Sequence, residues 1–146
     1  PHDAALAIRG LRTLPLRLQR SFDSAMHITQ RLATHPKVQR ILYPFHPSFP
    51  QYELARRQMT GCGGLFSLYL KAGAKAKAEA FFERLQHFLL AVSWGGHESL
   101  VMPAVAFHDL PGRPPPALPW NLVRFYIGLE DPEWLLADIE QALEGL

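Results

Sequence analysis

The stretch Leu122-Val-Arg-Phe-Tyr-Ile-Gly-Leu129 alternates between two faces, and it is the strongest indication of the fold in this sequence. One face is apolar at every second position, with Val123, Phe125, Ile127 and Leu129. The opposite face carries Leu122, Arg124 and Tyr126. We therefore predict a β-strand that is buried under helices on one side and presents an arginine on the other.

The segments around this strand predict further helices and strands. Asp131-Pro132, directly after it, is typical of a helix start, with aspartate as the N-cap and proline in the first turn. Near the N-terminus, apolar residues recur every three or four positions and predict a long helix over about residues 3–35, kinked or begun at Pro15. The elements between are strands at Val38–Tyr43 and Leu65–Leu70 and helices at Gln51–Met59 and Ala74–Gln86.

A nearly continuous apolar run at Phe88–Trp94 is typical of a strand buried on both faces. Five prolines between residues 111 and 119 indicate a loop before the last strand. Together these elements predict an α+β fold, in which a small mixed or antiparallel sheet of three or four strands is covered by helices on one face.

The composition indicates one folded domain. The 146 residues are 48% hydrophobic and 11% aromatic, which excludes a disordered chain. A net charge of +2, without aromatic residues interleaved among the bases, argues against nucleic-acid binding. A single cysteine, no apolar run long enough to span a membrane and no signal peptide indicate a cytoplasmic domain. Because the chain begins at Pro1, we expect it to be a piece of a longer protein.

Arg124 is the leading candidate for a binding residue. A guanidinium in the middle of an apolar strand needs a partner, because burying an unpaired charge is costly, and its planar fork suits a carboxylate. The turn Ser93-Trp94-Gly95-Gly96 could lie beside it, since glycines allow backbone N–H groups to approach a ligand. Two structural alternatives stay open: an ion pair between Arg124 and Glu98 or another acid, and an ordinary strand-to-helix turn at the glycines.

Other chemistries lack the residues that they require. The seven histidines form no i,i+4 pair and no cluster with the cysteine, so no metal site is expected. Cys62, between two glycines, is interpreted as a small residue in a tight turn rather than a nucleophile. The sequence contains no glycine-rich phosphate loop with a following lysine and no Gly-x-Ser-x-Gly motif.

Four motifs resemble one family in order and spacing. They are Arg9-Gly-Leu-Arg-Thr-Leu14, Gly61-Cys-Gly-Gly-Leu-Phe-Ser67, Ser93-Trp-Gly-Gly-His-Glu-Ser-Leu100 and Val123-Arg-Phe-Tyr-Ile-Gly-Leu-Glu-Asp131. Nearly the whole chain resembles the C-terminal domain of the Cys/Met-metabolism pyridoxal-phosphate (PLP) enzymes, the cystathionine γ-synthase and β-lyase group, which have the type I fold of PLP enzymes. Trp94 and the run Ile127–Asp131 are most similar to bacterial cystathionine β-lyases.

The resemblance implies roles for three residues. Arg124 matches the arginine that grips the α-carboxylate of the substrate, and Ser93 and Trp94 match the turn that helps to hold it. Residues 1–146 would thus be the substrate-binding domain, entered through the long helix. Phe107-His108 stands where related enzymes have Thr-His, so one contact to the carboxylate region is missing.

The resemblance also implies what this chain does not carry. The Schiff-base lysine lies in a Ser-x-x-Lys setting of a larger N-terminal domain, and none of the four lysines here, Lys37, Lys71, Lys75 and Lys77, has that setting. We therefore expect no catalytic, cofactor-binding or metal-binding residue in this chain, and no activity of the chain alone. The intact enzyme would bind PLP in the larger domain and form a dimer or tetramer.

The intact enzyme is expected to convert cystathionine to homocysteine, pyruvate and ammonia in methionine biosynthesis, without a nucleic-acid or membrane partner. Two alternatives remain. One is another family member, a cystathionine γ-synthase, a γ-lyase or a sulfhydrylase. The other is a stand-alone, non-catalytic α+β module for binding or interaction.

Overall fold

Five strands form one mixed sheet in a computed structural model that describes all 146 residues. The strands are β1 (Val38–Leu42), β2 (Leu65–Leu70), β3 (Leu89–Leu90), β4 (Leu100–Pro103) and β5 (Leu122–Tyr126). The helices are α1 (His2–Leu32), α2 (Tyr52–Gln58), α3 (Lys75–Arg84) and α4 (Pro132–Leu143), with a short 3₁₀ turn at Ala104–Phe107. The predicted α+β class is confirmed, with five strands in place of the three or four predicted. No helix combines the length and the apolar character that crossing a membrane requires.

The predicted last strand, β5, lies in the centre of the sheet, whose order is β1-β2-β5-β4-β3. It pairs antiparallel with β2 on one side and with β4 on the other. Arg124 therefore lies between Ser67 of β2 and Met102 of β4, all on one face of the sheet. Because β5 is hydrogen-bonded to a strand on each side, the backbone at Arg124 is held in place from both sides.

The core lies on the opposite face, under α1, α3 and α4. Phe125 is fully buried there and packs against three other phenylalanines, Phe66, Phe81 and Phe88, at ring-centroid distances of 5.5, 6.5 and 5.0 Å. Helix side chains close this layer from above, with Ile28 from α1, Phe81 from α3, and Leu135 and Ile139 from α4. The apolar face predicted for β5 is thus the floor of the core.

The strand predicted at Phe88–Trp94 is present only in part, and its predicted burial on both faces is wrong. Only Leu89–Leu90 forms a strand, at the edge of the sheet and parallel to β4. Its two side chains are 61% and 67% exposed, because an edge strand has one neighbour and the helix layer covers only Phe88 of this run. The inner strand is instead β4, at Leu100–Pro103, which the sequence pattern did not predict because four residues are too few to show a periodicity.

Helix α1 is as long as predicted, but only its second half is packed against the rest of the chain. It runs through Pro15 without interruption, and its buried residues begin at Ser21. Leu11 and Leu18, two of the apolar residues whose spacing predicts this helix, are exposed. The spacing of the apolar residues predicts the helix correctly. No buried residue lies in its first half, so the apolar face is packed only from Ser21 onward.

Helix α4 begins as the sequence predicts. The Asp131 side chain accepts hydrogen bonds from the backbone N–H groups of Glu133 (2.9 Å) and Trp134 (3.2 Å), and Pro132 occupies the first turn. This cap satisfies two amide groups that the helix itself leaves unpaired. It places α4 directly after β5, over the core.

A second aspartate, Asp138 of α4, is buried at 4% exposure and holds the turn after α3. Its carboxylate accepts hydrogen bonds from the backbone N–H groups of Gln86 (3.0 Å) and His87 (2.9 Å) and from the Gln141 side chain (2.9 Å). We expect Asp138→Ala to lower the free energy of unfolding by about 2–3 kcal/mol, because three hydrogen-bond donors lose a buried, charged acceptor. Urea denaturation measures the change.

Glu144→Ala is the control for this measurement, since that carboxylate is exposed just after the same helix. It should change the free energy of unfolding by less than about 0.5 kcal/mol. Equal losses for the two variants would contradict a structural role for Asp138.

Candidate carboxylate-binding site

The Arg124 guanidinium is free of any carboxylate in this chain. The three ion pairs present join His27 to Glu133, Lys75 to Asp109 and His97 to Glu98, and Arg124 belongs to none of them. The Glu98 alternative considered from the sequence is therefore not formed. Arg124 Nη2 instead donates a hydrogen bond to the backbone carbonyl of Val92, which immediately precedes Ser93.

The structure thus brings Arg124 next to the segment that carries Ser93 and Trp94. This segment leaves the edge of the sheet after β3 and has no regular secondary structure up to β4. Ser93 is exposed, and the Trp94 side chain is 63% exposed. Gly95 has a φ of +91°, a backbone conformation that favours glycine and bends the chain back toward β5. The serine hydroxyl and the backbone of the turn are therefore accessible from solvent.

A hydrogen-bonded network fixes the end of this segment. The Glu130 carboxylate accepts from the backbone N–H and from the hydroxyl of Ser99, both at 2.8 Å, and the Ser99 hydroxyl accepts from the Gly128 N–H at 2.9 Å. The Leu129 N–H also donates to the His97 carbonyl at 2.8 Å. A Cβ on Gly128 would collide with that same carbonyl oxygen, so this close approach requires glycine.

Tyr126, Ser99 and Glu130 were missed by sequence reasoning as residues that shape the turn. The Tyr126 hydroxyl donates to the Gly96 carbonyl at 2.9 Å. The alternation of β5 already placed Tyr126 on the same face as Arg124, and that pattern was the available signal. Nothing comparable indicated that Ser99 and Glu130 would meet, because their contact depends on the path of the loop.

A cleft of about 540 Å³ lies on one side of this turn, between α1 and the glycine-rich loop before β2. Trp94 and Tyr126 contribute to its lining, together with Leu18, Phe22 and Cys62. Burial raises the pKa of the Cys62 thiol, outweighing the opposing effect of a hydrogen bond with Tyr43. A protonated thiol is a poor nucleophile, which agrees with the interpretation of Cys62 as a small residue in a turn.

No group of three or more His, Cys, Asp and Glu side chains lies close enough together to hold a metal ion. The fold and the site together define an α+β domain with a candidate carboxylate-binding arginine. A central strand presents an arginine without an acidic partner beside an exposed serine–tryptophan–glycine turn. Such an arrangement can bind a small carboxylate through the guanidinium fork.

The chain belongs to the Cys/Met metabolism PLP-dependent enzyme family, whose sequence profile it matches over residues 1–144. It is 43% identical over 149 residues to a cystathionine γ-lyase from Mus musculus, and 47% identical over 150 residues to an L-methionine γ-lyase from Pseudomonas deceptionensis. It is 44% identical over 144 residues to a cystathionine γ-synthase from Mycobacterium bovis. These alignments cover 98–100% of this chain but 37% of each relative.

The resemblance to the family is thereby confirmed, whereas the finer expectation of a β-lyase finds no support among these names. All three are enzymes named for the γ-position. The chain spans little more than a third of the length of the relatives.

The residues of this chain do not by themselves form a site for PLP, the cofactor that this family uses. No lysine or arginine lines the cleft, so nothing there offers an amine to the aldehyde of the cofactor or a cation to its phosphate. Lys37 donates to the carbonyl of Leu146, and Lys75 pairs with Asp109 at 2.7 Å. Lys71 and Lys77 are exposed on the surface. We assign no residue of the chain to the cofactor.

Proposed function

We propose that this chain is the C-terminal, substrate-binding domain of a PLP-dependent enzyme that acts on sulfur amino acids, and that it holds the α-carboxylate of the substrate. One observation carries the proposal. The guanidinium of Arg124 has no acidic partner in the chain and touches the backbone beside Ser93 and Trp94. A charged group placed in the middle of a sheet without a counter-charge is suited to receive one from a ligand.

Arg124 has the donors that this role needs. A guanidinium offers five N–H groups, and the structure records one hydrogen bond from it, to Val92. Two parallel N–H groups suffice to bind a carboxylate through both oxygens. The hydroxyl of Ser93 and the backbone of Trp94 lie at the solvent side of the same contact and would complete the pocket. Holding the carboxylate fixes the orientation of the bond to be broken relative to the rest of the enzyme.

The remaining parts of the enzyme lie, in this proposal, outside the chain. A larger domain supplies the Schiff-base lysine and binds PLP, and the intact protein assembles as a dimer or tetramer in the cytoplasm. Residues 1–146 alone would bind but not catalyse. A stand-alone binding module is the second candidate, favoured by the position of the lysines away from the cleft and by the absence of an ion pair at Arg124.

We further propose that the intact enzyme is a lyase acting at the γ-carbon. Two of the relatives are named γ-lyases, and they are 43% and 47% identical to this chain over essentially its whole length, which supports elimination at the γ-carbon. The opposing indication is Trp94, together with Ile127–Asp131, which are similar to the bacterial β-lyases. The two activities differ in the keto acid that they release.

The keto acid released by the full-length protein, loaded with PLP, tests this assignment. γ-Elimination converts L-cystathionine to cysteine, ammonia and 2-oxobutanoate, and converts L-methionine to methanethiol, ammonia and 2-oxobutanoate. β-Elimination of L-cystathionine gives homocysteine, ammonia and pyruvate. We expect 2-oxobutanoate from one or both substrates, identified by mass spectrometry. Pyruvate as the only keto acid would establish the β-lyase instead, and no keto acid from either substrate would contradict a lyase.

A further inference from the structure

Tyr126 lies two residues after Arg124 on β5, so that both side chains project from the same face of the sheet. Arg124 donates to the carbonyl of Val92, and the hydroxyl of Tyr126 donates to the carbonyl of Gly96 at 2.9 Å. One strand face therefore holds both ends of the segment Val92–Gly96. Ser93 and Trp94 lie between these two points.

These two side chains are the only hydrogen-bond tethers of the segment. No backbone–backbone hydrogen bond involves any residue from Val92 to Gly96. Packing does not replace such bonds, because Ser93 and Trp94 are exposed and the space around Gly95 is open. The network of Ser99 and Glu130 acts only further along the chain. Backbone hydrogen bonds hold the flanking residues Ala91 and His97, and between them the path of the turn depends on two side chains of β5.

We infer that Tyr126 is a positioning residue for the α-carboxylate site, an inference that rests on the proposed function of Arg124, Ser93 and Trp94. The phenol ring is buried and its hydroxyl is directed at a backbone carbonyl, so it holds the turn without touching the ligand. A carboxylate would use the Arg124 donors that do not bind Val92, while the hydrogen bond from Tyr126 holds the other end of the segment. Tyr126 thereby keeps Ser93 and Trp94 within reach of that carboxylate.

The test uses Tyr126→Phe in the full-length, PLP-loaded protein, because this change removes the hydroxyl and keeps the buried ring. The probes are two competitive inhibitors without a sulfur leaving group: L-norleucine, which has an α-carboxylate, and n-pentylamine, its decarboxylated counterpart. We expect the inhibition constant for norleucine to rise about threefold to tenfold, the effect of one lost hydrogen bond. The constant for pentylamine should not change, since it has no carboxylate to place.

Tyr69→Phe is the matched control. Tyr69 lies on the same face of the sheet, opposite Leu122 of β5, and no hydrogen bond of its hydroxyl is present in the structure. Its removal should leave both inhibition constants unchanged. A general loosening of the domain would weaken both probes alike in either tyrosine variant, and a positioning role weakens only norleucine and only in Tyr126→Phe.

The outcomes separate this inference from the proposed function. If Arg124→Gln weakens norleucine but Tyr126→Phe does not, Tyr126 has no positioning role and the carboxylate site stands. Equal weakening of norleucine and pentylamine in Tyr126→Phe also overturns the inference. If Arg124→Gln leaves norleucine binding unchanged, the proposed site itself fails.

Discussion

Arg124→Gln in the full-length enzyme is expected to raise the KM for its amino-acid substrate by about tenfold to hundredfold. The reason is the loss of a charge-assisted pair, worth about 1.5–3 kcal/mol per hydrogen bond. Glutamine keeps much of the side-chain volume and one donor group, so the change isolates the charge and the fork. Steady-state kinetics over a wide substrate range measures it.

Arg113→Gln is the control for charge, because Arg113 lies exposed in the proline-rich loop before β5. It should leave the KM within about twofold, as expected of a surface substitution. Arg124→Lys adds a second comparison, since a lysine keeps the charge without the planar fork, and it should fall between the wild type and the glutamine variant. An unchanged KM in Arg124→Gln would remove this residue from the site.

Phe125→Ala is expected to destabilise the protein by about 3–5 kcal/mol, the usual cost of truncating a buried aromatic side chain. Phe125 has no exposed surface and contacts three other phenylalanine rings, so its removal leaves a cavity at the centre of the core. A domain of ordinary stability has only about 5–15 kcal/mol in total. Chemical denaturation followed by circular dichroism measures the loss.

Phe107→Ala provides the comparison, because that side chain is 42% exposed at the end of the 3₁₀ turn. It should cost clearly less than Phe125→Ala, because a large part of its surface is already in contact with water. If the two variants lose similar stability, the aromatic cluster under the sheet is not the main support of this fold.

Several elements could be predicted because their signals are local. The alternation of β5 and the Asp131-Pro132 start of α4 depend on neighbours within a few residues, and both are present as predicted. The run Phe88–Trp94 has the composition of an inner strand, yet its place at the sheet edge is decided by which strands pair. The pairing of β4 with β5 joins residues far apart in sequence, and a single sequence does not display such contacts.

The candidate site likewise has one part that a local sequence pattern predicts and another that depends on contacts between residues far apart in sequence. The two-residue period of a strand predicts the direction of the Arg124 side chain, and Arg124 is the one partly exposed residue of β5. Its contact with Val92 and the contact of Tyr126 with Gly96 depend on how the loop after β3 folds back. That path depends on the close approach of Gly128 to the His97 carbonyl and on the hydrogen bonds between Ser99 and Glu130. No local sequence pattern predicts these contacts.

The position of Arg124 beside Phe125 has a consequence for the register in which β5 pairs with its neighbours. A slip of β5 by one residue against its neighbours would exchange the two sides of the strand, driving the guanidinium into the phenylalanine cluster and exposing Phe125 to water. Burying the charge of Arg124 without a partner would destabilise the protein in that shifted register. The apolar side of β5 thus helps to select the register in which Arg124 points away from the core.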